Sequence, residues 1–243
     1  MKPFLFLGTR PEDDVADSEY AAVLSCTGLD ERDLRRVRLE HDELGTVDLD
    51  AWSGVVLGGG PFNVSDPAAE KSAVQHRVEA ELAALAEQAV AFDAPFLGCC
   101  YGIGVLGSTH GGIVDRTHGE PVGCVEVSLT DEGRADPLLS GLPASFDVLL
   151  GHKEAVSRLP EGAVRLASST TCPVQAFRIG KNVYATQFHP ELDADGLVLR
   201  VETYRDHGYF PPEQLQSLID LARRSVVTEP PALLAAFAER YAR

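Results

Sequence analysis

A cysteine framed by two glycines follows a short apolar run near the middle of the chain. Residues 94–97 lead into Gly98, and Cys100 and Gly102 follow at alternate positions. Glycine two positions before and two positions after one residue lets a buried strand turn sharply into a helix without a steric collision. The pattern predicts a nucleophile elbow with Cys100 at its apex, where the free amides of the following helix favour a thiolate.

Short apolar runs alternate with longer amphipathic stretches in the first half of the chain. The runs predict buried strands at residues 4–7, 37–39, 55–57 and 96–97. Residues 67–91 predict the clearest helix, because apolar residues recur there at helical spacing. This order predicts an α/β fold with a mostly parallel central sheet and helices on both faces.

The pattern changes after residue 112. Residues 122–129 and 146–150 predict antiparallel additions to the sheet, and residues 173–179 and 183–188 predict a hairpin that ends at His189. We expect one domain over residues 1–210, because no linker separates the motifs. Residues 211–243 are expected to form a helical extension packed on the same domain.

A base and a carboxylate lie in the segment Gln187-Phe188-His189-Pro190-Glu191. Pro190 biases His189 toward an extended backbone, in which residues two apart project to the same side. Glu191 is therefore placed to orient the imidazole of His189. Cys100, His189 and Glu191 fill the roles of nucleophile, base and orienting carboxylate in a catalytic triad.

A third motif, Val-Val-Leu-Gly-Gly-Gly-Pro, occupies residues 55–61. In order and spacing, the three motifs resemble the signatures of class I (triad-type) glutamine amidotransferase domains, including the glutaminase half of GMP synthase. The resemblance runs from about residue 50 to about residue 195. It implies a flavodoxin-like fold, no cofactor, and hydrolysis of the glutamine side-chain amide through a γ-glutamyl thioester. It also implies that the amides of Gly60 and Tyr101 stabilise the oxyanion.

Three interpretations of the activity stay open. The chain is an amidotransferase that passes ammonia to a partner synthetase, a stand-alone γ-glutamyl hydrolase or peptidase, or an inert scaffold that binds a metabolite or protein. Many family members carry glutamine four residues after the nucleophile, where it helps to hold the substrate, but this chain has Gly104. The loss of that polar group predicts a weak glutaminase, either activated by a partner or tuned to another γ-glutamyl compound.

Other candidate residues receive structural interpretations. Cys99 lacks the symmetric glycine frame and is expected to be a core thiol. His152 lies near a predicted strand end and is left without a role. His110, His118 and Asp115 match no zinc spacing, so no metal site is predicted.

The composition excludes several partners. A net charge of −16 and a pI near 4.8 disfavour binding to nucleic acid or to anionic membranes. An odd number of cysteines, 5, indicates reduced thiols and a cytoplasmic protein. The first apolar run is too short for a signal peptide, and no stretch approaches the roughly 18 apolar residues of a membrane span, so we expect neither export nor anchoring.

Overall fold

The computed structural model describes residues 2–243. Its strands are β1 (Phe4–Gly8), β2 (Leu34–Arg38), β3 (Val55–Leu57), β4 (Phe96–Cys99), β5 (Ile113–Asp115), β6 (Glu120–Leu129), β7 (Ser145–His152), β8 (Ala155–Arg158), β9 (Val164–Ser168), β10 (Ala176–Ile179) and β11 (Val183–Thr186). Its α-helices are α1 (Asp13–Thr27), α2 (Ala73–Phe92), α3 (Tyr101–Gly107), α4 (Asp131–Ala135), α5 (Ala194–Thr203), α6 (Leu215–Arg224) and α7 (Pro231–Tyr241).

Nine strands form the central sheet, in the order β2-β1-β3-β4-β11-β10-β9-β6-β7. The neighbours from β2 to β11 are parallel, whereas those from β11 to β7 are antiparallel. Parallel neighbours need long crossovers, and helices supply them in the first half of the chain, whereas the second half connects strands by shorter turns. The predicted α/β class is confirmed. Strands β5 and β8 form a separate antiparallel pair.

Hydrophobic cores cover both faces of the sheet, because alternate residues of each strand point to opposite sides. On β1, Phe4 and Phe6 pack in the core that includes residues of α1 and α7. Leu5 and Leu7 pack in the core that includes residues of α2 and α3. The expectation of helices on both faces is thus confirmed.

The parallel half of the sheet brings the cysteine elbow and the histidine segment to one edge. Strands β4 and β11 are parallel neighbours, with Cys99 opposite Thr186 in the register. The amide of Cys100 donates to the carbonyl oxygen of Thr186 at 2.8 Å. Strand β11, the second strand of the predicted hairpin, ends three residues before His189. Parallel strands end on the same side, so the elbow and the histidine segment are adjacent although 88 residues separate them.

Some element boundaries differ from the predictions. Helix α2 begins at Ala73 rather than at residue 67, because the Ser72 side chain accepts from the Gln75 amide at 3.0 Å and caps the helix there. Strand β2 begins at Leu34, before the predicted start at residue 37. It is an edge strand in which only Leu34 is fully buried, so its sequence carries little apolar signal.

The C-terminal helices extend two of the hydrophobic clusters. Helix α6 packs against α5 and β6, and α7 packs against α1. The ring of Phe237 on α7 is fully buried, with its centroid 6.1 Å from that of Phe4. Within residues 2–243, no helix has both the length and the apolar character needed to cross a membrane.

Removing the Phe237 ring tests whether α7 belongs to the core. We expect Phe237→Ala to lower the free energy of unfolding by about 3–5 kcal/mol, because it leaves a cavity between α7 and β1. Phe92→Ala is the matched control, since that ring is 76% exposed and its loss should change the free energy by no more than about 0.5 kcal/mol. Urea unfolding measures both, and equal effects would show that α7 is not part of the core.

Candidate active site

The elbow at Cys100 has the backbone geometry that its glycines predict. Cys100 has φ 51° and ψ −94°, a region that non-glycine residues rarely adopt. A Cβ atom at Gly98 would lie 2.7 Å from the Gly102 carbonyl oxygen, and one at Gly102 would lie 3.2 Å from that of Leu57. Side chains at these two positions would therefore force the strand and the helix apart.

The two adjacent cysteines differ in environment. Cys99 is 2% exposed and belongs to the core, as predicted. Burial raises the pKa of the Cys99 thiol well above its ordinary value. Cys100 is partly exposed and lines the cavities at the edge of the sheet. Of the two thiols, only that of Cys100 is open to a small molecule.

His189 and Glu191 form a buried pair beside this thiol. His189 Nδ1 lies 2.8 Å from Glu191 Oε1. An ionised carboxylate only accepts hydrogen bonds, so Nδ1 carries a proton and Nε2 is left for Cys100. Burial and Arg200 lower the pKa of His189, but Glu191 and Cys100 outweigh them and raise it above its ordinary value. Burial alone would raise the pKa of Glu191, but His189 and Arg200 hold it well below its usual range.

Behind this pair lies a chain of alternating buried charges. Arg200 Nη2 donates to Glu191 Oε1 at 2.8 Å and to Glu19 Oε1 at 3.2 Å. Arg10 Nε donates to Glu19 Oε1 at 2.9 Å. All the side chains of this network, His189 included, belong to residues that are less than 10% exposed. Each carboxylate thus contacts a cation in a region where an unpaired charge would be costly.

The glycine run after β3 places a backbone amide at the cavity. The buried hydroxyl of Thr9 donates to the carbonyl oxygen of Gly59 at 3.0 Å. That oxygen and the Gly60 amide belong to one peptide plane and point in opposite directions. Gly60 lines the cavity beside Cys100, and its amide donates to no acceptor within residues 2–243. The amide of Tyr101, at the first position of α3, has no acceptor there either.

Two cavities meet at Cys100. The Glu154-side cavity is lined by residues that include Gly60, Cys100, Tyr101, Gly104, His152, Glu154 and Gln187. The His189-side cavity is lined by residues that include Arg10, Gly60, Cys100, Leu197, His189, Arg200 and Val201. Cys100 and Gly60 line both cavities, whereas His189 lines only the second.

The space beside Gly104 is not open. Glu154 Oε1 would lie 3.0 Å from a Cβ at Gly104. The Glu154 carboxylate accepts from the amides of Val64 at 2.9 Å and Ser65 at 2.8 Å. Burial raises the pKa of Glu154. A glutamine at position 104 would therefore displace this carboxylate, which is the polar group nearest to that position.

His152 is held by a buried hydrogen-bond network. Its Nε2 lies 2.9 Å from Glu120 Oε2, and its Nδ1 lies 2.8 Å from the Glu154 carbonyl oxygen. Gln175 Nε2 also donates to Glu120 at 2.6 Å. Cys172 lies close to this pair, and burial raises the pKa of its thiol to about 11. The contacts indicate that His152 positions the loop that carries Glu154.

Sequence reasoning missed Arg10, Glu19 and Arg200. Two of them break an apolar helix face: Glu19 follows buried Val15 and Ala16 at helical spacing, and Arg200 follows Leu197. Arg10 comes two residues after β1, at the edge where parallel sheets bind ligands. A charged residue on an otherwise buried helix face was the sequence signal that could have identified Glu19 and Arg200. The sequence did not show that these two residues pair, because they are 181 positions apart.

The comparison with known families agrees with this geometry. The family model described as "Glutamine amidotransferase class-I" matches residues 20–196. The chain therefore belongs to the class I glutamine amidotransferase family, as the motifs predicted.

Within this family, the chain is similar in sequence to GMP synthases and their subunits. The chain is 34% identical over 140 residues to a glutamine-hydrolysing GMP synthase subunit of Methanoculleus marisnigri. The aligned region covers 57% of this chain and 65% of that protein. The chain is 31% identical over 141 residues to the GMP synthase of Thermosipho africanus, covering 58% of this chain and 24% of that protein. The match thus spans less than two thirds of these relatives.

Solved structures share the fold over nearly the whole chain. A glutamine amidotransferase from Thermotoga maritima superposes with a TM-score of 0.75 at 22% identity, covering 99% of this chain and 98% of that one. One from Methylobacillus flagellatus gives 0.69 at 19% identity, covering 99% and 92%.

Gly59 is predicted to fix the position of the His189 imidazole. An added Cβ would lie 2.8 Å from His189 Nε2, so Gly59→Ala must displace the ring. We expect glutamine hydrolysis to fall about 100-fold, because a displacement near 1 Å has effects of that size. Gly141→Ala is the control, since a Cβ there meets nothing within 4 Å. Equal kcat values for the two variants would contradict the close packing of Gly59 against His189.

Glu191 is predicted to raise the pKa of His189. Glu191→Gln removes a carboxylate that favours the imidazolium, so an NMR titration of the His189 ring should give a lower pKa in this variant than in the wild type. Glu239→Gln, on the exposed face of α7, is the control. Because the folded pKa of His189 is raised, its protonation stabilises the wild type below its unfolded pKa, about 6.5. This contribution to the free energy of unfolding is lost as the pH rises through the folded pKa of His189. The contribution should be smaller in Glu191→Gln than in the wild type.

Proposed function

We propose that this protein hydrolyses a γ-glutamyl amide bond, with glutamine as the reference substrate and Cys100 as the nucleophile. The observation that carries the proposal is the meeting of the strained elbow and the His189–Glu191 pair at one cavity. A half-buried thiol beside an oriented imidazole is the arrangement that activates a cysteine.

In the acylation step, the Cys100 thiolate attacks the γ-carbonyl carbon and forms a C–S bond. The amides of Gly60 and Tyr101, which have no acceptor within residues 2–243, stabilise the negative charge on the oxygen. The C–N bond breaks, and protonated His189 gives its Nε2 proton to the leaving nitrogen. Glu191 keeps the ring oriented and stabilises its charged form.

In the deacylation step, water attacks the γ-glutamyl thioester. His189 takes a proton from this water, a C–O bond forms, and Cys100 leaves as a thiolate. The products are glutamate and the released amine, which is ammonia when the substrate is glutamine.

The fate of the ammonia is a further part of the proposal. The relatives named as glutamine-hydrolysing GMP synthase subunits support a synthetase partner that receives ammonia from this chain. The five free cysteines support a reducing compartment, which we take to be the cytoplasm. A stand-alone γ-glutamyl hydrolase is the second candidate, favoured by the apolar residues that line the His189-side cavity.

Labelling and turnover test the chemistry together. We expect a glutamine-mimicking electrophile to label the wild type once, at Cys100, and Cys100→Ser to abolish both labelling and ammonia release. Cys99→Ser is the matched control and should keep both, because that thiol lies in the core. His189→Ala should lower turnover at least about 100-fold. Labelling that is lost in Cys99→Ser and kept in Cys100→Ser would overturn the proposal.

The wild-type kinetics on free glutamine decide between the first two candidates. A sub-millimolar KM with a turnover of tens per second would be that of a competent glutaminase. Weak turnover that a synthetase does not improve would favour another γ-glutamyl substrate.

A further inference from the structure

The His189-side cavity has a lining that glutamine hydrolysis does not require, because ammonia, the group that leaves from glutamine, is small and polar. Part of its wall is apolar, formed by Val122, Leu150, Leu192, Leu197, Val201 and Phe210. An apolar wall that carries a few polar groups is typical of a site that binds an organic group.

The position of His189 identifies which part of a substrate the cavity holds. A substrate carbonyl at Cys100 has its acyl chain on one side and its leaving nitrogen on the other. The base that protonates the leaving nitrogen must lie on the nitrogen's side. His189 lines this cavity and not the Glu154-side cavity. The glutamyl chain therefore belongs beside Glu154, and the leaving group belongs in the His189-side cavity.

The polar part of the same wall is cationic. Arg10 and Arg200 line the cavity, whereas their partners Glu19 and Glu191 do not. Nη1 of Arg200 is buried and has no hydrogen-bond partner within residues 2–243. Nη2 of Arg10 likewise donates to no acceptor among the described residues. Free guanidinium donors beside an apolar wall match a carboxylate that is attached to an apolar group.

The cavity is also limited in length. Tyr209 lines it, and its hydroxyl donates to the Pro61 carbonyl oxygen at 3.3 Å, which ties the segment after α5 to the glycine run. Lys153 Nζ lies 4.3 Å from the centre of the Tyr209 ring. These contacts bridge the region above Cys100, so the space suits one amino acid better than a long peptide.

We propose that the His189-side cavity binds the leaving amino acid of γ-glutamyl dipeptides whose second residue has an apolar side chain. The inference rests on the proposed Cys100 chemistry and names its substrate class. The γ-carbonyl C–N bond breaks as the C–S bond forms, and the amino acid leaves with the proton from His189. Water then converts the thioester to glutamate, so one water is consumed for each dipeptide.

Three substrates test the proposal on the wild-type protein. They are glutamine, γ-glutamyl-leucine, and γ-glutamyl-3-methylbutylamide, which is the leucine compound without its carboxylate. We expect kcat/KM to be highest for γ-glutamyl-leucine, and to fall about 10-fold or more for the methylbutylamide because a charge-assisted hydrogen bond is lost. Glutamine should be the poorest of the three.

Two variants separate the apolar wall from the cationic one. Val201→Trp should lower the ratio of kcat/KM for γ-glutamyl-leucine to that for glutamine, because the indole fills the cavity. Val226→Trp is the matched control, since Val226 is 77% exposed. Arg10→Lys keeps a positive charge beside Glu19 but loses the planar guanidinium donors that would bind the substrate carboxylate. The kcat/KM for γ-glutamyl-leucine should then become nearly equal to that for the methylbutylamide. Thermal unfolding checks that each variant folds. If Val201→Trp does not fold, the comparison of the three substrates on the wild type still tests the proposal.

The outcomes distinguish this inference from the proposed function. If Cys100 is labelled and glutamine is hydrolysed as well as γ-glutamyl-leucine or better, the cavity does not select the leaving group and the inference is wrong. If the two larger substrates react equally, the carboxylate assignment is wrong. If no substrate reacts and Cys100 is not labelled, the Cys100 chemistry itself fails, and the inference fails with it.

Discussion

The site depends on one buried hydrogen bond, from Arg200 to Glu191. Glu191 contacts the imidazole of His189, and without Arg200 behind it that imidazole would be the only partner of a carboxylate in a region that water barely reaches. Arg200 in turn needs Glu19, and Glu19 pairs with Arg10. Helix α1, the loop after β1, and helix α5 each supply one member of this chain. The position of the base is therefore fixed by contacts between distant segments and not by the histidine segment alone.

The backbone around the site is constrained in a similar way. Gly59 packs against the His189 ring, and the hydroxyl of Thr9 fixes the peptide that carries the Gly60 amide. The glycine run after β3 thus has two functions that exclude a side chain: it leaves room for the base, and it brings an amide donor to the cavity. Close packing makes the geometry of this site sensitive to a single added methyl group, such as one at Gly59.

The space around Cys100 is divided into two cavities that differ in their polar groups. A cavity with a carboxylate lies on one side of the thiol, and a cavity with guanidinium groups and an apolar wall lies on the side of His189. Glu154, held by the amides of Val64 and Ser65, occupies the neighbourhood that the sequence suggested was vacant beside Gly104. The sequence shows that Gly104 has no side chain. It does not show that Glu154, 50 positions away, fills the space beside Gly104.

The sequence by itself determined the local geometry. Glycine at 98 and 102 dictates a sharp strand-to-helix turn, and Pro190 sets the extended backbone that brings Glu191 to the ring of His189, because these effects act over a few bonds. The apolar runs also predicted β1, β3, β4 and the β10–β11 hairpin. The edge strand β2 was predicted only at its last two residues, since a strand whose side chains are mostly half-buried carries little apolar pattern. Only the tertiary structure decided which buried charges pair and which side chains line each cavity, because those contacts join residues up to 194 positions apart, whose meeting depends on the packing of the whole sheet and its helices.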